Sequence, residues 1–200
     1  MMLDYSQIGF LLITYFISAI PFGLLLTKKF LNEDIRNLGS KNIGATNVTR
    51  IAGKKLGLVT LILDALKGAV MVRAAIFAFP EVHNFDLFIA LVAFVAVFAH
   101  IFPIYIRFKG GKGVATTLAV VLAIDPLIGL ICLVTWLLVF LISRVSALSS
   151  IAGALVLIPA NYFLAFSQVY VVLAVALSAL IIFRHKSNIM RLINKEENKF

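Results

Sequence analysis

The sequence predicts an all-α fold: a polytopic membrane protein built as a bundle of about seven transmembrane helices. Hydrophobic residues make up 62% of the 200-residue chain, far more than a soluble globular protein carries. Apolar runs near the roughly 20 residues that a helix needs to cross a bilayer recur along the whole chain. We therefore expect one membrane-embedded domain over residues 1–200, with no separate soluble domain.

Polar and helix-breaking residues between the apolar runs place the predicted helices. The helices fall at about 7–28, 57–79, 86–106, 114–124, 127–143, 147–165 and 168–183. The first run lacks a basic leader and is followed by Lys28 and Lys29, so we expect a retained span rather than a cleaved signal. The fourth covers roughly 11 residues, about half of the bilayer, before Asp125 and Pro126 interrupt it.

An alternative joins Val114 to Ile142 into one kinked helix and gives six spans. It leaves Asp125 near the bilayer centre, where a carboxylate is costly. With seven spans every basic loop lies on one side, and the other side holds only the acidic residues Asp4, Glu81, Asp86 and Asp125. Because cytoplasmic loops collect Lys and Arg, seven spans are favoured, with the N-terminus outside and the C-terminus in the cytoplasm.

Charge and cysteine content exclude several classes of function. The net charge of +9 reports the orientation of a membrane protein, so we expect no nucleic-acid partner. A single cysteine, Cys132, cannot form an intramolecular disulfide or a cysteine-based metal site. We expect no metal and no cofactor.

The first polar segment, "NLGSKNIGATNVTR", runs from Asn37 to Arg50. It is rich in hydrogen-bond donors and cations, and no carboxylate occurs from Leu38 through Leu63. This combination favours an anionic ligand. The alternative is an ordinary capped loop, since Ser and Asn also serve turns and helix starts.

The second polar segment, "RFKGGKGVATT", runs from Arg107 to Thr117 and is called the glycine loop below. Its glycines allow backbone N–H groups to converge on a phosphate, and its lysines add charge beside a helix start at Val114. The spacing of a P-loop is missing, so nucleotide hydrolysis is not implied. The alternative is a basic turn that touches lipid headgroups.

The third polar segment, "FRHKSNIMRL", runs from Phe183 to Leu192. A continuous helix would place Arg184, Asn188 and Arg191 on one face. The alternative is a basic tail at an anionic leaflet. Two further features are expected to be structural: the i,i+3 pair Asp64 and Lys67, and the isolated His100.

Taken in order, "GSKNIGATNVTR", "FKGGKGVAT" and "RHKSNIMRL" resemble the three signature motifs of the bacterial acyl-phosphate:glycerol-3-phosphate acyltransferases. The resemblance implies an enzyme of the bacterial inner membrane, with seven spans and an active site that faces the cytoplasm. Its substrates would be glycerol 3-phosphate and acyl phosphate, without coenzyme A or acyl carrier protein. Its products would be lysophosphatidic acid and phosphate, at an initiating step of phospholipid synthesis.

This resemblance gives expected roles to individual residues. Ser40, Lys109 and His185 are expected to be catalytic, with His185 or the donor phosphate as proton acceptor. The expected phosphate-binding residues are Arg50, Lys112, Asn42, Asn47, Gly110, Gly111, Gly113, Asn188 and Arg191. The acyl chain is expected in a slot between apolar helices beside the small residues Ala152, Gly153 and Ala154.

Two other functions fit parts of the sequence. A transporter of organic phosphates or other anions would also use cations beside Gly and Pro breaks, and Asp64, Lys67 and Arg73 would lie within its spans. A structural membrane protein would use its basic loops only to bind anionic lipid. The polar segments on a single side and the lack of a visible inverted repeat favour the enzyme over the transporter.

Overall fold

The computed structural model describes residues 3–199, and every regular element in that range is helical. The predicted all-α class is therefore confirmed. The helices are α1 (Tyr5–Ser18), α2 (Phe22–Leu31), α3 (Ala45–Ala78), α4 (Phe85–Ile101), α5 (Val114–Ile124), α6 (Pro126–Ser143), α7 (Ser146–Leu164), α8 (Gln168–Arg184) and α9 (Lys186–Ile193). Two short 3₁₀ turns lie at Ile35–Asn37 and Ile104–Ile106.

Four helical segments are long and apolar enough to cross a membrane: Tyr5–Leu31, Phe85–Ile106, Pro126–Ser143 and Ser146–Leu164. A fifth is obtained if α8 and α9, which meet at a bend of 61°, count as one span. Helix α3 is longer than any of these but carries Asp64, Lys67 and Arg73. Large apolar side chains such as Phe77 and Ile142 are exposed on the outside of the bundle, as lipid contact requires.

Helix α4 forms the centre of the bundle. Its inward face presents the small residues Ala90, Ala93, Ala96 and Ala99, all at most 6% exposed. Small side chains let helix backbones approach closely, which replaces the hydrophobic effect as the basis of packing within lipid.

Polar caps explain where several helices begin. Asp4 and Gln7 form a reciprocal capping box at the start of α1. Asp125 accepts hydrogen bonds from the backbone N–H groups of Leu127 and Ile128, and Pro126 occupies the first position of α6. Each cap satisfies N–H groups that have no partner within their own helix.

Helix α5 occupies the predicted range 114–124, and the chain turns back sharply after it. A Cβ added to Gly129 would lie 2.8 Å from the Cα atom of Leu122. In one continuous helix, residues seven apart are separated by roughly 10 Å. The single kinked helix over 114–142 is therefore wrong.

Helix α3 begins twelve residues earlier than the predicted span at 57, because much of the first polar segment is helical. Gly53 interrupts the helix with φ 85° and ψ 168°, a backbone conformation that glycine adopts at little cost. The polar turns 45–52 thus fold back onto the longer part of α3, where Gly57 contacts the side chain of Thr49.

The bundle has a basic end and an acidic end. At the basic end Lys112 meets Asn188, and Arg50 meets the backbone of Asn198. At the other end Asp86 accepts a hydrogen bond from Tyr170. The three polar segments, distant in sequence, therefore lie together at one end.

The contact between Gly129 and Leu122 gives a stability prediction. We expect Gly129→Ala to lower the free energy of unfolding by about 1–3 kcal/mol, because the added methyl overlaps Leu122. Gly9→Ala in α1 is the matched control, since nothing lies within 4 Å of its added Cβ, and it should be neutral or stabilising. Thermal unfolding in detergent measures both. Equal midpoints for the two variants would contradict the tight turn.

Candidate active site

A cavity of about 310 Å³ opens at the basic end. It is lined by residues of all three polar segments and by helices α3 to α7. One wall is apolar and contains Leu118, Leu133, Trp136 and Leu137. The remaining wall is polar and contains Ser40, Asn42, Thr46, Asn47, Arg50, Asp64, His100, Lys112, Ser146, Ser150, His185, Asn188 and Glu197.

Asn47 organises the loop that precedes α3. Its buried side-chain amide donates to the carbonyls of Leu38 at 3.0 Å and Asn42 at 2.8 Å, and its oxygen accepts from the N–H of Ser40 at 2.9 Å. These bonds use the groups that the sequence analysis assigned to a phosphate. Asn47 thus places Ser40 and Asn42 at the cavity rather than offering its own donors.

Helix N-termini converge on the cavity. The first turns of α3 (Ala45, Thr46), α5 (Val114, Ala115) and α7 (Ser146, Ala147) all line it, and the hydroxyls of Thr46 and Ser146 are 3.2 Å apart. First-turn N–H groups lack intrahelical partners and carry a partial positive charge. Three such ends around one space favour an anion there.

The glycine loop is held differently from the way the sequence predicted. The N–H groups of Gly110 and Gly111 donate to the carbonyls of Ile101 and His100, at 3.1 and 3.2 Å. A Cβ at either glycine would overlap this part of α4. These two N–H groups are therefore engaged within the protein, and their glycines allow close packing instead of cradling a phosphate.

Arg184, at the end of α8, holds the same loop from the other side. Its guanidinium donates to the carbonyls of Gly111 at 3.2 Å and Gly110 at 3.0 Å. Gly113, with φ 85°, then starts α5 and does line the cavity. The sequence analysis did not assign Arg184 to the site, because no spacing links it to a glycine loop more than 70 residues earlier.

Lys112 points its charge into the cavity. It is half-buried, and its Nζ donates to Asn188 Oδ1 at 2.5 Å. Burial lowers the pKa of Lys112 to about 8, although the carboxylate of Glu197 acts in the opposite direction. Lys109, three residues earlier, is exposed and lies outside the cavity wall.

His185 lies at the break between α8 and α9, so the continuous helix predicted for the third polar segment is wrong. The 61° bend there turns Asn188 into the cavity and leaves Arg191 outside its lining. His185 is buried, and its Nδ1 is 2.8 Å from the carbonyl of Ile181. A carbonyl only accepts, so Nδ1 carries the proton and Nε2 has a lone pair. Burial, followed by the charge of Lys112, lowers the pKa of His185 to about 4.

The C-terminal tail returns to the cavity and brings a carboxylate that the sequence analysis missed. Glu197 accepts from Asn188 Nδ2 and from Arg191 Nε, both at 2.7 Å, and its side chain is only 6% exposed. The backbone carbonyl of Asn198 accepts from Arg50 at 3.2 Å. Nothing in the sequence spacing indicates this return of the tail.

Comparison with known proteins gives a consistent family. Residues 8–195 match the family model described as glycerol-3-phosphate acyltransferase. The chain is 41% identical over 186 residues to a protein of that description from Pelagibacter ubique, covering 93% of each chain.

Two solved structures also resemble the chain. They are forms of PlsY, an integral membrane glycerol 3-phosphate acyltransferase. The glycerol 3-phosphate form is 35% identical, with a TM-score of 0.91 over 98% of this chain and 96% of that chain. The lysophosphatidic acid form is 34% identical, with a TM-score of 0.88 over 98% and 95%.

The pKa of Lys112 gives a pH prediction for anion binding. Below about pH 8 its amine is protonated, and as the pH rises through that value the cavity loses one positive charge. We expect the affinity for sulfate, whose charge is constant over this range, to fall about three- to tenfold between pH 7 and pH 9. Calorimetric titration measures it. Lys112→Arg keeps the charge and should flatten the dependence; the same slope in that variant would contradict the assignment.

Proposed function

The chain belongs to the glycerol-3-phosphate acyltransferase family, and we propose that it transfers a fatty acyl group from acyl phosphate to the 1-hydroxyl of glycerol 3-phosphate. The products are lysophosphatidic acid and inorganic phosphate. The observation that carries this proposal is a cavity whose polar wall suits phosphate groups and whose apolar wall suits an alkyl chain. Acyl phosphate is the donor that fits, because it places a phosphate and an acyl chain on the same carbonyl.

The phosphate groups are assigned to the cation-rich wall. Arg50 offers a planar fork of donors suited to a phosphate, whereas Lys112 and Asn188 supply a point charge and an amide. The N-termini of α3, α5 and α7 add uncompensated N–H groups to the same wall. Lys109 is proposed to act from the solvent side, since its side chain is exposed.

The acyl chain is assigned to the apolar wall formed by α5 and α6. A small neighbouring cavity of about 40 Å³ shares Val114, Leu118, Trp136 and Ser150 with the main one. Gly153 and Ala154 line it, as the sequence analysis expected of the acyl slot. A Cβ on Gly153 would come no closer than 3.6 Å to Cys132, so this glycine leaves room beside the chain.

The reaction is a single displacement at the acyl carbon. The 1-hydroxyl oxygen forms the new C–O bond, a tetrahedral oxyanion develops, and the bond from carbon to the phosphate oxygen breaks. Phosphate leaves with the electron pair. Ser40 and the first-turn N–H groups are proposed to donate to the developing oxyanion, because donors fixed in advance stabilise charge that appears only in the transition state.

The proton of the 1-hydroxyl is assigned to the donor phosphate. His185 was the protein candidate, but burial lowers its pKa to about 4, and a base is most effective when its pKa lies near the working pH. Neutral His185 still presents Nε2 as a hydrogen-bond acceptor. We assign it a positioning role at the reacting hydroxyl.

The proposed topology has seven spans, with the cavity facing the cytoplasm of a bacterial inner membrane. Helices α3, α5 and α7 begin at the cavity, whereas α4 and α8 reach it with their C-terminal ends. The short helix α5 then counts as a complete passage between the two ends. The concentration of Lys and Arg at the cavity end supports a cytoplasmic location.

The activity prediction uses purified protein with acyl phosphate and glycerol 3-phosphate. We expect Arg50→Met and Lys112→Met each to lower kcat/KM by about 10- to 100-fold, since each removes a charged hydrogen bond to phosphate. Lys54→Met, an exposed cation on the same helix as Arg50, is the control and should keep wild-type activity. Equal losses in all three variants would contradict a specific site.

In the same assay, His185→Gln separates the two proton acceptors. If phosphate accepts the proton, the variant should keep the shape of the wild-type pH profile between pH 5 and 8, with a lower rate. Disappearance of activity together with a new pH dependence would identify His185 as the base.

The topology is tested by labelling single-cysteine variants in a Cys132→Ala background. We expect a membrane-impermeant maleimide to label Glu81→Cys in intact cells, because this residue lies between α3 and α4 at the end away from the cavity. Lys54→Cys and Lys199→Cys should react only after permeabilisation. Labelling of Lys199→Cys, but not Lys54→Cys, in intact cells would exclude the seven-span arrangement.

A further inference from the structure

A carboxylate and an imidazole form part of the buried cavity lining. Asp64 of α3 and His100 of α4 both line the cavity and are 2% and 4% exposed. Asp64 Oδ1 lies 2.9 Å from Lys67 Nζ, and Lys67 also donates to the carbonyl of Ile20 at 2.8 Å. The lysine therefore balances the carboxylate and ties it to the break between α1 and α2.

His100 Nδ1 has no hydrogen-bond partner within residues 3–199. The carboxylate oxygen Oδ1 of Asp64 lies 3.6 Å from it, too far for a direct hydrogen bond. Asp64 Oδ1 likewise makes no hydrogen bond of good geometry in this range, although it is ion-paired with Lys67. Buried polar atoms in this state are uncommon and indicate a missing polar partner.

The chemistry of this pair selects its partner. A carboxylate repels phosphate and attracts a hydrogen-bond donor, so Asp64 does not suit the anionic part of a substrate. A hydroxyl both donates and accepts. With hydrogen bonds of about 2.8 Å, one hydroxyl oxygen can reach two atoms 3.6 Å apart, donating to Asp64 and accepting from an Nδ1–H of His100.

We propose that Asp64 and His100 bind the 2-hydroxyl of glycerol 3-phosphate, the hydroxyl that does not react. This inference rests on the proposed function. The phosphate of the acceptor is assigned to the cationic wall, and the 1-hydroxyl has to meet the acyl carbonyl at the apolar wall. The 2-hydroxyl is then the remaining polar group of the substrate, and the Asp64–His100 pair is the buried polar pair that matches it.

The sequence analysis expected both features to be structural, and the structure gives His100 a structural contact as well. The N–H of Gly111 donates to its backbone carbonyl, and the glycine lies against the imidazole. The carbonyl contact remains when the side chain changes. A test that compares two acceptors on the same protein separates recognition of a hydroxyl from support of the loop.

The experiment measures kcat/KM for glycerol 3-phosphate and for 3-hydroxypropyl phosphate, which keeps the phosphate and the reacting hydroxyl but lacks the 2-hydroxyl. For the wild type we expect glycerol 3-phosphate to be preferred by about 10- to 100-fold, because the analogue leaves buried polar groups unpaired. In His100→Leu the preference should fall to about threefold or less. His100→Gln, which restores a polar side chain, should recover part of it.

Asp64 is tested in the same way without leaving a charge unpaired. Asp64→Asn combined with Lys67→Met removes both charges together, since a single change would bury an uncompensated lysine. This double variant should also lose the preference. Thr60→Val is the matched control: Thr60 is buried one turn earlier on α3, bonds to the carbonyl of Leu56 and lies outside the cavity lining. It should keep the wild-type ratio.

The outcomes separate the inference from the proposed function. If the wild type acylates both acceptors with equal kcat/KM, or if the His100 and Asp64 variants slow both equally, the hydroxyl site is excluded while the acyltransferase stands. If the wild type acylates neither acceptor, the proposed function itself fails. Loss of preference confined to the His100 and Asp64 variants supports the site.

Discussion

The hold of Arg184 on the carbonyls of Gly110 and Gly111 is the interaction on which the cavity depends. It joins the end of α8 to the loop before α5, while the N–H groups of the same glycines are joined to α4. The loop is thereby fixed from both sides. Lys112, Gly113 and the start of α5 follow at once and reach the cavity because of it. Residues as large as alanine would not fit at Gly110 or Gly111.

Position in the membrane gives this arrangement its chemical consequence. At the basic end, cations and free helix N-termini lie next to an apolar wall that continues into the bundle. Electrostatic attraction is stronger where water is partly excluded, so one cavity accommodates a phosphate and a lipid chain side by side. The lowered pKa values of Lys112 and His185 have the same physical origin, since burial disfavours the charged form of both.

The sequence predicted much of the fold because the physical signals are local. The Asp125 and Pro126 break, the short helix at 114–124 and the grouping of basic residues at one end are all visible from composition and spacing. The residue types of the polar wall were also predicted: Ser40, Arg50, Lys112 and Asn188 meet at one cavity. The partners were not. The engagement of Gly110 and Gly111, the commitment of Asn47 and the return of Glu197 depend on contacts between distant segments, for which a single sequence contains no signal.

The central claim is that cations and helix N-termini from three segments form one anion site, and ligand-dependent thermal unfolding in detergent tests it most directly. A ligand that binds only the folded state stabilises it by about 2.7 kcal/mol at a hundred times its Kd. Glycerol 3-phosphate should raise the unfolding midpoint in a saturable manner that weakens as salt increases, and glycerol at the same concentrations should not. An equal shift with both compounds, or none with either, would contradict the account.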